Sequence, residues 1–379
     1  MAAPIKVGFC GYGYSTRTFH LPFVLANKRL QVYAFLQRGA KSHARGKESS
    51  HCLDDYPQCK WYQTPQDFMA DKEIELVVVA TGHDSHADLA IAALEAGKHV
   101  VVEKAFTLSS AEADRILAAQ KKSGKVLTVF QNRRYDSDFR TLEHLVNHPD
   151  KPLGEITECE IHYDVDAPAW AMGNKSPDHK PGGGMMFGIG CHTLDQALAL
   201  FGRPATVTGF YRALRGVKSK EDDTFTLLLQ YSGAQENLVV TVKTTVINKM
   251  PQPLKYFIRG YGGTFVKHGE DPQEIQTGKG LTPADAEYGS ECPDIYGELT
   301  TTKQFHKDQK KITALGGNEV YNGRFPSMKG SYVDYYEDVV KAIKGEGPVV
   351  IRPEHARDGL RIIELGRESA DLGKTLPMD

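Results

Sequence analysis

The chain has 379 residues, 40% of them hydrophobic and 25% charged, with a formal net charge of −2. That is enough apolar material for two folded cores. It is too little net charge for a general attraction to nucleic acid or anionic membrane, and no run nears the roughly 18 apolar residues of a membrane span. Six scattered cysteines with no C-x-x-C pair suit reduced thiols. The opening Met1-Ala2-Ala3-Pro4 lacks the basic and apolar regions of a secretory signal, so a cytoplasmic protein is expected.

Residues 5–10 read as a first strand, followed by the turn Gly11-Tyr12-Gly13-Tyr14-Ser15-Thr16 and a helix to about residue 26. Residues 30–36 form a second strand, and a polar patch follows. The β-branched run 75–80 fits a strand buried on both faces. Residues 86–96 make a helix closed by Gly97, residues 98–104 a further strand ending on Glu103 and Lys104, and 109–123 a helix stopped by Gly124 before a strand at 126–130. This alternation predicts an α/β domain with a doubly wound parallel sheet over residues 1–130. From residue 131 a helix at 138–146 precedes longer strands at 156–163, 205–214, 224–231 and 238–246, whose alternation is that of antiparallel strands with one buried face. Between them lie the glycine-rich stretch 181–190 and a helix through Leu200. Residues 272–293 read as a surface loop. Helices at 332–344 and 355–372 close the chain, and are expected to pack back on the first domain. The second domain, 131–379, is therefore expected to be α+β with a large open, mainly antiparallel sheet.

Gly11-x-Gly13 between a strand and a helix makes a tight turn that lets backbone approach a pyrophosphate, so Gly11, Tyr12, Gly13, Tyr14, Ser15 and Thr16 are expected cofactor contacts. The third glycine of such turns is Thr16 here. An acid ending the second strand would hold the ribose of NAD. The chain instead reads Gln37-Arg38-Gly39-Ala40-Lys41-Ser42, and Arg38 and Lys41 suit a 2′-phosphate, favouring NADP over NAD. Thr81, His83, His86, Glu103 and Lys104 stand at strand ends, where open parallel sheets collect ligands. His83 and His86 have no carboxylate or cysteine at ligand spacing, so no metal is expected. His192 opens an apolar-striped helix after Gly182-Gly183-Gly184 and Gly188-Ile189-Gly190, and a helix start favours a neutral imidazole base. Cys191 lacks the base and orienter of a nucleophile.

The chain resembles the Gfo/Idh/MocA oxidoreductases. The matching pieces are Gly11-Tyr12-Gly13 with Phe19-His20-Leu21-Pro22, the stretch from His86 to Val100, and Glu103-Lys104-Ala105-Phe106. Gln131-Asn132-Arg133-Arg134, His192-Thr193-Leu194-Asp195-Gln196, Thr264 to Glu274 and Arg352-Pro353-Glu354-His355-Ala356 complete the set. Several of these look like the NADP-linked scyllo-inositol dehydrogenase subgroup. The resemblance implies a Rossmann domain, a second domain whose sheet commonly forms an oligomer interface (dimer or tetramer), and a sugar, inositol or polyol substrate. It implies catalysis by Lys104 and His192, which match a Glu-Lys-Pro lysine and an Asp-x-x-x-His histidine. Ala105 replaces that proline and Gly188 that aspartate; Asp164 or Asp166 are the candidates to supply an acid from another strand. Asn132, Arg133, Asp164 and Asp195 are expected substrate contacts. The competing expectation is a nucleotide-binding sensor that lost turnover with the aspartate.

Overall fold

The computed structural model describes residues 3–39 and 51–379. The polar patch after the second strand, with Lys41 and Ser42, lies outside them. The chain forms two compact units, one of Met1–Asn132, Ile275–Tyr288 and Ser331–Arg357, the other of Arg133–Glu274, Gly289–Gly330 and Asp358–Asp379.

In the first unit the strands are β1 (Ile5–Cys10), β2 (Leu30–Leu36), β3 (Lys60–Tyr62), β4 (Leu76–Val79), β5 (His99–Val102) and β6 (Leu127–Val129). They lie in the order β3-β2-β1-β4-β5-β6, all parallel. Every residue of β4 is buried, as a strand covered on both faces requires. Strand order reverses between β1 and β4, the place where doubly wound sheets open a crevice at the carboxyl ends of their strands. Register levels those ends: Cys10 pairs with Val79, Val79 with Val102 and Val102 with Val129. Gly11, Thr81, Lys104 and Gln131 therefore emerge along one edge.

The helices of this unit are α1 (Leu21–Ala26), α2 (Cys52–Asp55), α3 (Pro65–Ala70), α4 (His86–Glu95) and α5 (Ser110–Ser123). Ser109 caps α5 by accepting from the Glu112 amide, and Gly124 ends it at φ 66°. The predicted helix after the nucleotide turn is broken: a wide turn at Thr16–His20 precedes α1, because Pro22 offers no amide to continue one ladder.

The second unit holds α6 (Ser137–Asn147), α7 (Ala169–Met172), α8 (Met185–Gly188) and α9 (Gly190–Phe201). Its ten strands are β7 (Ile156–His162), β8 (Thr206–Arg212), β9 (Thr224–Gln230), β10 (Val239–Thr244), β11 (Leu254–Gly260), β12 (Gly263–His268), β13 (Gly297–Thr301), β14 (Lys310–Thr313), β15 (Glu319–Phe325) and β16 (Leu376–Pro377). They make one sheet in the order β14-β15-β13-β12-β11-β7-β10-β9-β8-β16. All neighbours are antiparallel except β7 and β10. Phe225, Leu227 and Leu229 of β9 and Val240 and Val242 of β10 turn to one face and pack with Leu194, Ala197 and Leu198 of α9, the alternation the sequence predicts.

The stretch read as a surface loop at 272–293 contains a helix, α10 (Gln273–Gly278). Asp271 organises its start: its carboxylate accepts from the Ser137 amide at 2.7 Å and the Gln273 amide at 2.8 Å. Buried backbone amides need acceptors, and Asp271, just before a stretch rich in Gly, Pro and acid, supplies one for two of them. The closing helices are α11 (Tyr332–Lys344), in the first unit, and α12 (Pro353–Leu372), which from Asp358 onward belongs to the second. α12 starts two residues before its predicted position because proline suits a first helical turn. Among the described residues no helix is long and apolar enough to cross a membrane.

Candidate functional site

The nucleotide turn is built by close backbone approach. Gly11 has φ 98°, and a Cβ there would stand 2.5 Å from the Ala80 carbonyl oxygen at the end of β4. Only glycine tolerates both. At Gly13 a Cβ would meet nothing within 4 Å, so the turn presents open space where a phosphate's oxygens would lie. Thr16, in place of a third glycine, is buried and donates its hydroxyl to the Gly11 carbonyl at 3.1 Å. It closes the turn with a side chain where the usual pattern uses close packing. Tyr12 points away, its hydroxyl donating to Asp55 at 2.6 Å and its ring edge-on to Phe35. Tyr14 is exposed. These features fit a dinucleotide pyrophosphate.

Glu103 lies just past β5 and is buried. Its carboxylate accepts from the Ser15 hydroxyl, from the backbone amide of Lys104 at 2.7 Å, and lies 3.2 Å from His20 Nε2. The other nitrogen of His20 sits 2.6 Å from the Tyr336 hydroxyl on α11. Burial works to raise the Glu103 pKa, but His20, Lys104 and Ser15 outweigh it and hold the group at about 2. Glu103, an expected cofactor contact, is a buried anion joining the nucleotide turn to the lysine loop. Lys104 is half-buried at that loop, and the Lys104–Ala105 peptide is cis.

Glu103 also carries a stability prediction. Its folded pKa lies below the 4.5 of a free glutamate, so its stabilisation is present above about pH 4.5 and is lost as pH falls toward 2. A depression of this size is worth about 3 kcal/mol. Glu103→Gln is expected to lower the urea midpoint at pH 7 and to differ much less from the parent at pH 3. A gap that is equal at both pH values would refute the assignment.

His86, another expected cofactor contact, sits among backbone carbonyls. It is fully buried, with Nδ1 3.1 Å from the Ala105 carbonyl and 3.3 Å from that of Phe106, and Nε2 3.2 Å from that of Thr81. Burial pushes its pKa down despite those carbonyls. A neutral ring donates from one nitrogen only, so one side of the ring is hydrogen-bonded to backbone and the other is in contact with it. His86 is packed between two loops. The Thr81 hydroxyl lies 2.7 Å from that of Ser85, which itself donates to the Gly82 carbonyl, so Thr81 is the donor of that pair. His83 lies beside Lys104, hydrogen-bonded to its backbone, and is pushed down by burial and by the His86 ring and the Lys104 amine. Arg38 is exposed at the end of β2.

In the second unit His192 is buried in the first turn of α9, its amide donating to the Ile189 carbonyl at 3.0 Å. Four residues earlier, a Cβ on Gly188 would meet nothing within 4 Å, so the place of the missing aspartate is open. Cys191 is buried, with Sγ donating to the Gly188 carbonyl at 3.6 Å.

The expected substrate residues are mostly taken up by protein. Asp195 receives both Nε and Nη2 of Arg134 at 2.6 Å in a buried bidentate pair. Arg133 donates to Tyr163 and, at 2.7 Å, to Glu274, stacks over the Tyr163 ring at 4.6 Å, and approaches Asp136 at 3.4 Å. Asp164 accepts from the Thr245 amide at 3.0 Å and the Asn248 side chain at 3.3 Å, binding the ends of two strands. Asp166 pairs with Lys249 at 2.6 Å. Asn132, in the first unit, opens a short turn after β6 and is buried. The sequence reading missed Arg134 and His20 as partners, although both stand in the motifs that carry the resemblance. Among the described residues no cluster of three or more His, Cys, Asp or Glu side chains is placed to hold a metal.

A parallel sheet with a glycine turn at its switch point, followed by a unit with a broad antiparallel sheet, defines a dinucleotide-binding protein of the Rossmann class. Residues 5–131 match the Gfo/Idh/MocA model, an oxidoreductase family with an NAD-binding Rossmann fold, and residues 150–378 match the C-terminal alpha/beta domain of that family. The chain belongs to the Gfo/Idh/MocA oxidoreductase family. It is 32% identical over 379 residues to an uncharacterized oxidoreductase of Schizosaccharomyces pombe, covering 99% of this chain and 100% of that one. It is 29% identical over 375 residues to the scyllo-inositol 2-dehydrogenase (NADP(+)) IolW of Bacillus subtilis, covering 99% and 96%. Among solved structures, the oxidoreductase yvaA from Bacillus subtilis superposes with a TM-score of 0.85 at 28% identity, covering 100% of this chain and 99% of that one.

Proposed function

We propose that the protein is an NADP-linked dehydrogenase or reductase acting on a secondary alcohol, or its ketone, in a sugar, inositol or related polyol. The observation that carries the reading is Lys104, a half-buried amine at the carboxyl edge of the sheet, one residue from the anion that grips the nucleotide turn. Full-length similarity to an NADP(+) scyllo-inositol 2-dehydrogenase supports the substrate class.

The residues that would hold the dinucleotide are Gly11, Gly13 and Ser15 at the pyrophosphate and Arg38 at the 2′-phosphate. When bound, its nicotinamide accepts or returns the hydride. Lys104 donates a hydrogen bond to the reacting oxygen and stabilises negative charge there. His192 takes the hydroxyl proton in oxidation and gives it back in reduction. Asn132 is the substrate contact we retain from the sequence, while Asp195 and Asp164 serve the fold. The substrate is a free small molecule, the enzyme a homo-oligomer by the family resemblance, and its compartment the cytoplasm by its cysteine pattern.

The test is NADPH absorbance across a panel of inositols, sugars and their ketones, with His192→Ala as control. Turnover of a panel member that is lost in the variant supports the reading. The open place at Gly188 favours one alternative, a sensor: tight NADPH binding with no turnover anywhere in the panel would establish it. For cofactor choice, Arg38→Ala is expected to weaken NADPH roughly 10- to 100-fold, the worth of a charge-assisted hydrogen bond, and NADH little. Equal losses in fluorescence titrations with both cofactors would refute the NADP assignment.

A further inference from the structure

The aim of His192 depends on the segment before it, where Met185, Met186 and Phe187 are buried but the glycines at 182–184 leave the backbone course to outside contacts. The one-turn helix α8 runs through Ile189, itself in helical conformation, into α9. A helix start leaves its first amides without internal acceptors, and α8 has no capping side chain in its own sequence, since its N-cap is Gly184.

The acceptor comes from elsewhere in the second unit. Asp222, two residues before β9, is 2% exposed. Its carboxylate accepts from the Met186 amide at 2.6 Å and its backbone carbonyl from the Met185 amide at 3.1 Å. The carboxylate's other oxygen is held by Arg367 of α12, whose guanidinium stacks over Tyr211 at 5.1 Å. Tyr211 is in turn anchored to Asp371 by a hydroxyl bond of 2.6 Å. Two glycines make this approach possible. Gly184 has φ 89°, and a Cβ on it would overlap the Asp222 carboxylate; a Cβ on Gly183 would overlap that of Glu221. The glycine run is therefore shaped to press the helix start against a fixed anion.

We infer that Asp222, locked by Arg367, is a positioning residue for His192: it supplies from the loop before β9 the cap that fixes α8 and, through it, the first turn of α9. This rests on the reading of His192 as the acid–base group. Both carboxylate oxygens of Asp222 are engaged by protein, at the Met186 amide and Arg367.

The experiment compares the parent with Asp222→Asn, which keeps shape but loses charge, and with Arg367→Gln, which leaves the carboxylate in place without its lock. Three quantities are read: NADPH affinity by fluorescence, kcat on the best panel substrate across pH, and the titration of His192 by NMR of histidine-labelled protein, assigned with His192→Ala. NADPH affinity is expected to stay within about 2-fold, because the nucleotide turn is untouched, while kcat falls about 10-fold or more, a part of the usual acid–base contribution. The His192 titration is expected to shift with it. A role confined to stability would lower the unfolding midpoint and leave kcat per folded enzyme and the titration unchanged, and that result would overturn the inference. Should Asp222→Asn fail to fold, Arg367→Gln decides alone. If His192→Ala keeps full turnover, the reading of His192 fails, whereas the NMR titration still reports whether Asp222 aims the ring.

Discussion

Lys104→Met is expected to lower kcat about 10²–10³-fold, the usual cost of removing one preorganised donor to a developing oxyanion. Methionine keeps the length and apolar stem of the side chain and deletes only the ammonium. The backbone around it is held independently, because the Lys104 amide binds Glu103 and the 105–106 carbonyls meet His86. The loop should therefore keep its course, and NADPH affinity should change by less than about 3-fold, well under the loss of a charged hydrogen bond. Steady-state rates and NADPH fluorescence on the same preparation make the measurement. A variant that retains kcat within about 3-fold would remove Lys104 from the chemistry.

The largest stability effect is expected at the Arg134–Asp195 pair. Arg134 is 10% and Asp195 2% exposed at the side chain. Burial alone would lower the Arg134 pKa, but the Asp195 charge and its hydrogen bonds raise it, so the guanidinium stays charged inside. Removing one partner leaves the other as an uncompensated buried charge, which costs about 3–5 kcal/mol. Asp195→Ala and Arg134→Ala should each unfold at markedly lower urea, and the double change Arg134→Met with Asp195→Leu should recover much of the loss. kcat of the folded fraction of Asp195→Ala should stay near the parent's. A selective rise in KM for the polyol, with stability unchanged, would restore Asp195 as a substrate contact.

The elements were largely legible. Local pattern is enough for β1 and β2, for the fully buried β4, and for α11, because periodicity reports which face a residue must bury. The nucleotide turn was legible for the same reason: Gly11 has one backbone conformation to supply and strands and helices mark where. The candidate site was legible by residue type and position, less so by partner. His86, Glu103, Asp195 and Arg133 are all polar residues at strand ends or helix starts, where both ligand contact and loop anchoring are chemically reasonable. The anchoring partners lie far along the chain: Ser15 meets Glu103, Arg134 meets Asp195, and Arg133 meets Glu274. Nothing local encodes those meetings.

By itself, then, the sequence determined the two-part architecture, the glycine turn, the cationic end of β2, and the family that places a lysine at 104 and a histidine at 192. Those are consequences of periodicity, glycine stereochemistry and residue type, all of which act over a few neighbours. Only the tertiary structure decided which polar groups already have partners: that Glu103 is a buried anion and His86 is packed between two loops, that Asp195 answers Arg134, and that the cap for α8 arrives from Asp222. The reason is physical. A polar side chain's role depends on whether its desolvation is compensated by protein, and compensation is a property of what the fold brings alongside it.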